Sequence, residues 1–261
     1  MEAFLISLMN KVSVLLCCSV LLLSKSINSI AQSKNVKSVN QFWLGYMSST
    51  KLSDHYSWWN DLHYVPEGFF VARTGITRHF ASFNLTGGYA FLLLPQSQLN
   101  PILTRREHRP WGQVVFSFPL QHSYSLVQRI RYDARFKQDI ANNELLDEYS
   151  FTNRIRFLTA IRKMIGSSGS RKWQPYVVVA DEVLLNFGES VVSTFDQNRI
   201  QLSFGLQGKN IQYQVGYMSR FVQTTPTSYT HNHTILFWIT HKLTFKGHHS
   251  QHEIKDVTPG D

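Results

Sequence analysis

Residues 128–136 read Gln-Arg-Ile-Arg-Tyr-Asp-Ala-Arg-Phe, and this stretch decides the fold class. Arg129, Arg131, Asp133 and Arg135 occupy one parity; Ile130, Tyr132, Ala134 and Phe136 occupy the other. Successive side chains of a β-strand point to opposite faces, so a strand gives one charged face and one apolar face. A helix would scatter the same charges around its whole circumference. Residues 153–157 repeat the pattern, with Arg154 and Arg156 set against Ile155 and Phe157.

The alternation spreads outward from there. Phe42, Leu44 and Tyr46 share one face of 41–48, and Tyr56, Trp58, Leu62 and Tyr64 share one face of 55–64. Stretches 68–79 and 83–94 are rich in aromatic and branched residues. Val114, Phe116 and Phe118 alternate with Gln113 and Ser117. Stretches 176–186, 196–206, 211–221 and 231–245 complete eleven candidate strands. Turn signals separate them, including Pro66-Glu67-Gly68, 95–104, 166–170 and Gly208-Lys209-Asn210. The spacing leaves 137–149 as a long connection.

Composition narrows the classes. The chain has 261 residues, of which 16% are charged, 43% hydrophobic and 13% aromatic, with a formal net charge of +9. That apolar mass excludes a largely disordered chain, and the low charge excludes a coiled coil. A mean hydropathy of −0.19 excludes a bundle of membrane-spanning helices.

Residues 1–31 have the order of a secretory signal. Lys11 precedes an apolar core, Val12 to Leu23, and Ser29-Ile30-Ala31 ends on a small residue before Gln32. The core is shorter than the ~20 residues a spanning helix needs. Cleavage after Ala31 is expected. Cys17 and Cys18 are the chain's two cysteines and leave with it. The mature chain then has no disulfide, no thiolate metal site and no cysteine nucleophile. Residues 32–246 are expected to form one domain, with 247–261 a polar C-terminal tail.

Two architectures suit such a chain. A soluble sandwich or lipocalin-like barrel would turn its apolar faces inward and show water mixed Lys and Glu. Here the polar face concentrates Arg with Tyr, Gln and Asn, and the apolar face recurs on strand after strand. A transmembrane barrel accommodates this directly, with lipid outside and a polar interior. The expectation is therefore an all-β fold, an antiparallel transmembrane β-barrel. Even strand numbers are the rule for bacterial barrels, so eleven candidates are rounded to about twelve, with ten next.

Several fragments resemble the family called domain of unknown function 2490, outer-membrane β-barrel proteins of Gram-negative bacteria. They are Trp43-Leu44-Gly45-Tyr46, Arg73-Thr74-Gly75, Gly87-Gly88-Tyr89-Ala90, Glu107-His108-Arg109-Pro110-Trp111 with Gln113, and Arg129-Ile130-Arg131 with Arg135-Phe136. Arg154-Ile155-Arg156, Asp181-Glu182, Phe195-Asp196-Gln197-Asn198-Arg199 and Gly216-Tyr217 follow in order. The resemblance covers roughly 42–220. Asp133 departs from it where Glu is expected, and the chain runs past Phe245 instead of ending on a terminal aromatic. It implies outer-membrane location, contact with outer-membrane lipid and insertion by barrel-assembly machinery. It implies no activity.

The candidate site is the inward charge set: Arg73, Glu107, Arg109, Arg129, Arg131, Asp133, Arg135, Arg154, Arg156, Glu182 and Arg199. In a narrow barrel these side chains must pair with one another, because an unpaired buried charge is costly. An ion-paired lumen of structural role is the first expectation. A channel or pocket for a small anionic solute is the second. A lipid hydrolase or acyltransferase is the third, although no Ser, His and acid stand in a spacing that singles out a triad. No catalytic residue, metal ligand or cofactor is assigned. His231 and His233 share one strand face and read as a polar strand end. The tryptophans, Trp43, Trp58, Trp59, Trp111, Trp173 and Trp238, read mainly as interface belts, some as core packing. Inward Arg and export together argue against nucleic acid as a partner. Oligomeric state is left open.

Overall fold

A computed structural model describes residues 34–96, 99, 102–166, 172–189 and 191–244. The leader and the tail beyond residue 244 lie outside these described residues. Eleven strands close into one barrel among them. They are β1 (Asn35–Lys51), β2 (Tyr56–Val65), β3 (Phe69–His79), β4 (Asn84–Gln96), β5 (Leu103–Pro119) and β6 (Tyr124–Ala141). Then come β7 (Glu144–Met164), β8 (Gln174–Phe187), β9 (Phe195–Gln207), β10 (Ile211–Gln223) and β11 (Ser228–Thr244). The all-β barrel is as expected, and each strand coincides with one candidate from the alternation.

The strand number is not twelve, nor ten. Consecutive strands pair antiparallel, but β1 and β11 close the barrel in parallel. All 17 residues of β1 find a partner there, from Asn35 opposite Ser228 to Lys51 opposite Thr244. A parallel ladder is only slightly less stable per residue than an antiparallel one, so a long seam serves. Closure is what removes the exposed edges, and it does not require an even count. One geometric consequence follows. β1 starts at the same end as β11 starts, so Asn35 and Thr244 lie at opposite ends of the barrel.

The register fixes the barrel's shape. A row of paired residues starting at Lys51 passes through Ser57, Thr77, Thr86, Gln113, Arg131, Arg156, Leu184, Gln197, Val222 and Thr230, and returns to β1 at Lys37. The stagger is 14 residues, the difference between 51 and 37. With rises of about 3.3 Å and spacings of about 4.8 Å, this tilts the strands by about 41° and gives a backbone radius of about 11 Å.

The stretch 137–149 is strand and turn, not a long connection. β6 and β7 run on together to a two-residue turn at Asn142-Asn143. Their φ values of 52° and 63° suit the primed turn that a tight hairpin needs. Past Lys137, where pairing with β5 stops, this hairpin projects from the end at which β1 starts.

Burial follows the two-residue period. On β8, Tyr176, Val178, Ala180, Glu182 and Leu184 are buried, while the residues between them face out. The apolar set expected to face lipid is on the outside, including Phe42, Leu44, Tyr46, Trp58, Leu62, Ile130 and Tyr132.

Candidate functional site

All eleven charged residues singled out from the sequence lie buried inside the barrel. They come from β3 and from the wall β5–β9, because those strands carry Arg and acid at inward parity. Glu107 is the hub of one group. Its Oε1 accepts from Arg109 Nη2 at 2.7 Å and from Arg135 Nε at 2.6 Å. Glu182 is the hub of another. Its Oε1 accepts from Arg129 at 2.8 Å and its Oε2 from Arg199 at 3.0 Å. Asp133 accepts from Arg156 at 2.8 Å, and Arg156 also approaches Glu182 at 4.0 Å. Such charge-assisted bonds are what a carboxylate needs once water has been removed.

The remaining arginines draw on residues outside that set of eleven. Arg154 pairs with Asp196 at 2.9 Å. Arg131 donates twice to Gln113 Oε1, at 2.6 and 3.0 Å. Arg73 lies 3.4 Å from Asp61. Arg162 and Arg220 are also buried inside and bond to amide oxygens, Arg162 to Gln207 at 2.5 Å and Arg220 to Gln41 at 2.8 Å. Asp61 and His63 were legible in principle, since they stand opposite the apolar parity of β2. Asp196 stands in one of the family fragments, but its inward turn is not legible there, because it sits at a register shift between Leu184 and Leu185 of the facing strand.

Apolar clusters share the interior with these charges, one of them, around Val115, Val127, Leu158 and Val178, on the charged wall itself. Trp43, Met47, Val65, Met218, Leu236 and Trp238 form a second cluster; Trp59, Val71, Ala90, Leu92 and Trp111 form a third. Trp43, Trp59, Trp111 and Trp238 are therefore core residues, which corrects the interface-belt reading for these four; Trp58 faces outward. The indoles sit inside because inward parity puts them there, where a large ring fills a lumen that small side chains would leave open.

Arginines and indoles meet through cation–π contacts. Arg131 lies 4.8 Å from the Trp111 ring, and Arg199 and Arg220 lie 5.4 and 5.1 Å from Trp43. Contacts within about 6 Å of a ring are attractive, more so when desolvated. Trp43 Nε1 also donates to His63 Nδ1 at 2.9 Å, which puts the His63 proton on Nε2, 2.7 Å from Asp61. Gly45 makes room for this ring: a Cβ there would stand 2.6 Å from His63 Nδ1. Trp43→Phe is expected to lower stability by about 1–3 kcal/mol, because His63 loses its buried donor. Urea unfolding followed by tryptophan fluorescence measures it.

The histidines on β11 face outward. Ser219 Oγ and His231 Nε2 lie 2.7 Å apart, and Tyr217 Oη and His233 Nδ1 lie 2.6 Å apart. Among the described residues no three His, Cys, Asp or Glu side chains are grouped to hold a metal ion.

A family model described as Protein of unknown function (DUF2490) matches residues 40–231. The chain belongs to this family. Members of the curated protein set and the solved structures give no match. The matched region of this DUF2490 chain begins in β1 and ends in β11, so it takes in all the interior charges described above.

Proposed function

We propose that this DUF2490 protein is an outer-membrane β-barrel, exported with its leader cleaved after Ala31, whose interior is a filled, ion-paired core rather than a conducting pore. Its role on this reading is structural, a stable wall in the outer membrane. The observation that carries it is the exclusion of water from the central charges: Glu107, Arg131 and Asp133 are each 0% exposed. An open lumen would leave such groups wet. The outer wall supports the location. Its aromatic and branched side chains form far more apolar surface than a water-facing wall of a monomer carries. Every strand also meets or exceeds the ~9–11 residues a spanning strand needs. Outer-membrane lipid and the barrel-assembly machinery are the partners this implies.

Two measurements test it. On detergent gels, the unheated protein is expected to migrate differently from the boiled protein, and fractionation is expected to find it in the outer membrane. In planar bilayers the refolded protein is expected to be electrically silent. A soluble periplasmic pool would overturn the location. Steady anion-selective conductance would overturn the filled core and favour the channel for small anionic solutes.

A further inference from the structure

Asp181 faces out of the barrel in the middle of a strand. Its neighbours in β8, Ala180 and Glu182, are buried inside. The outward residues before it are Pro175, Val177 and Val179, and those after it are Val183, Leu185 and Phe187. On the outer-membrane reading proposed above, on which this inference rests, that places a carboxylate near the bilayer midplane. Ionisable groups at that depth are expensive and find hydrogen-bonding partners. Elsewhere among the described residues, charged side chains of outward parity lie near strand ends, as Arg78, Arg106 and Lys163 do, or on the projecting β6–β7 hairpin.

Asp181 also belongs to a polar patch, although its ladder partner on β9 is Ile200. Gln128 on β6 pairs with Thr159 on β7, and Thr159 pairs with Asp181 on β8. Asn198 on β9 donates to Asp181 Oδ1 at 2.6 Å. That single amide leaves a carboxylate, which can accept about four hydrogen bonds, short of donors. Lipid chains supply none.

We infer that two copies of this chain associate side by side in the membrane through the outer faces of β7 and β8. The patch is self-complementary, which is why a second copy is the occupant. A two-fold axis along the membrane normal, running between β7 and β8, exchanges the two strands while keeping depth. It sets Asp181 of each copy against the partner's Thr159, an acceptor against a donor, and repeats the contact in reverse. Thr159 and Asp181 stand directly opposite one another in the ladder, and the strand tilt offsets them in depth by only about 3 Å, so both contacts stay within side-chain reach. Along the axis, on either side of this pair, Phe157, Ile161, Val179 and Val183 present apolar surface to the matching apolar patch of the partner. A two-fold contact closes after two copies, so the association stops at a dimer.

Single-cysteine crosslinking tests this in membranes from cells producing the full chain, with Cys17 and Cys18 replaced by serine. Val179→Cys lies beside the axis and is expected to oxidise to a disulfide-linked dimer. Leu62→Cys, on the diametrically opposite strand β2, is expected to stay monomeric. Adding Asp181→Leu to Val179→Cys is expected to reduce the dimer band at least tenfold while the barrel keeps its heat-modifiable mobility. Equal crosslinking at positions 179 and 62 would overturn the interface. So would an undiminished dimer in the Asp181→Leu background, or a Val179→Cys adduct formed only with a different protein. Loss of heat-modifiable mobility in the parent chain would instead sink the outer-membrane reading, so the two failures are told apart.

Discussion

Glu107→Ala is expected to cost about 3–5 kcal/mol of stability, the range for breaking a buried ion pair by removing one partner. Arg109 and Arg135 both lean on this one carboxylate, and both are buried. Without it, two largely buried positive charges lose the carboxylate that both of them contact. Coupling gives a sharper signature than the loss itself. Arg135→Met in the Glu107→Ala background is expected to recover part of the loss, because one uncompensated charge has then been removed. Glu144→Ala, at the exposed turn of the β6–β7 hairpin, is expected to stay within about 0.5 kcal/mol of the parent. Urea titration of the barrel refolded in detergent compares all of these. A Glu107→Ala loss no larger than that of Glu144→Ala would mean that water reaches the lumen, and would count against the filled core.

The adjacent glycines of β4 are expected to separate just as widely. A Cβ on Gly88 would stand 2.0 Å from the Thr74 carbonyl oxygen and 2.6 Å from the Gly75 Cα of the neighbouring strand. Backbone cannot swing aside as a side chain can, so β3 and β4 would have to part. Gly88→Ala is expected to cost about 3 kcal/mol or more, at or above the upper end for overpacking. A Cβ on Gly87 meets nothing within 4 Å. Gly87→Ala is expected to gain about 0.5–1 kcal/mol, since glycine in a strand carries an entropic penalty relative to alanine. The same urea titrations measure both. Equal effects at the two positions would show that the close approach of β3 to β4 is not as described.

These cases mark where the sequence is legible. The alternation in residues 128–136 is a local property, because each side chain's face depends only on its place in the strand. That suffices to send Arg129, Arg131, Asp133 and Arg135 inward together, and to identify all eleven strands. The same rule sends Gly87 outward and Gly88 inward. It says nothing of how near the next strand comes. The tryptophans show a related limit. An indole suits an interface belt and a lumen equally well, and its chemistry does not say which. Parity places Trp59 opposite Trp58, and the closed barrel shows that Trp59 is the one inside.

By itself, the sequence determined the order of the strands though not their full extents, the two faces and the family to which the chain belongs. All of these rest on the two-residue period or on short ordered motifs. The tertiary structure decided the count, the partners and the seam. Whether the barrel closes with ten, eleven or twelve strands depends on the register summed around every ladder, and no single strand carries that sum. Which acid meets which arginine depends on the stagger of 14 residues that the closure sets. Asp61 meets His63 and Arg73, and Arg154 meets Asp196, only once the wall has curved around to bring the strands into one interior.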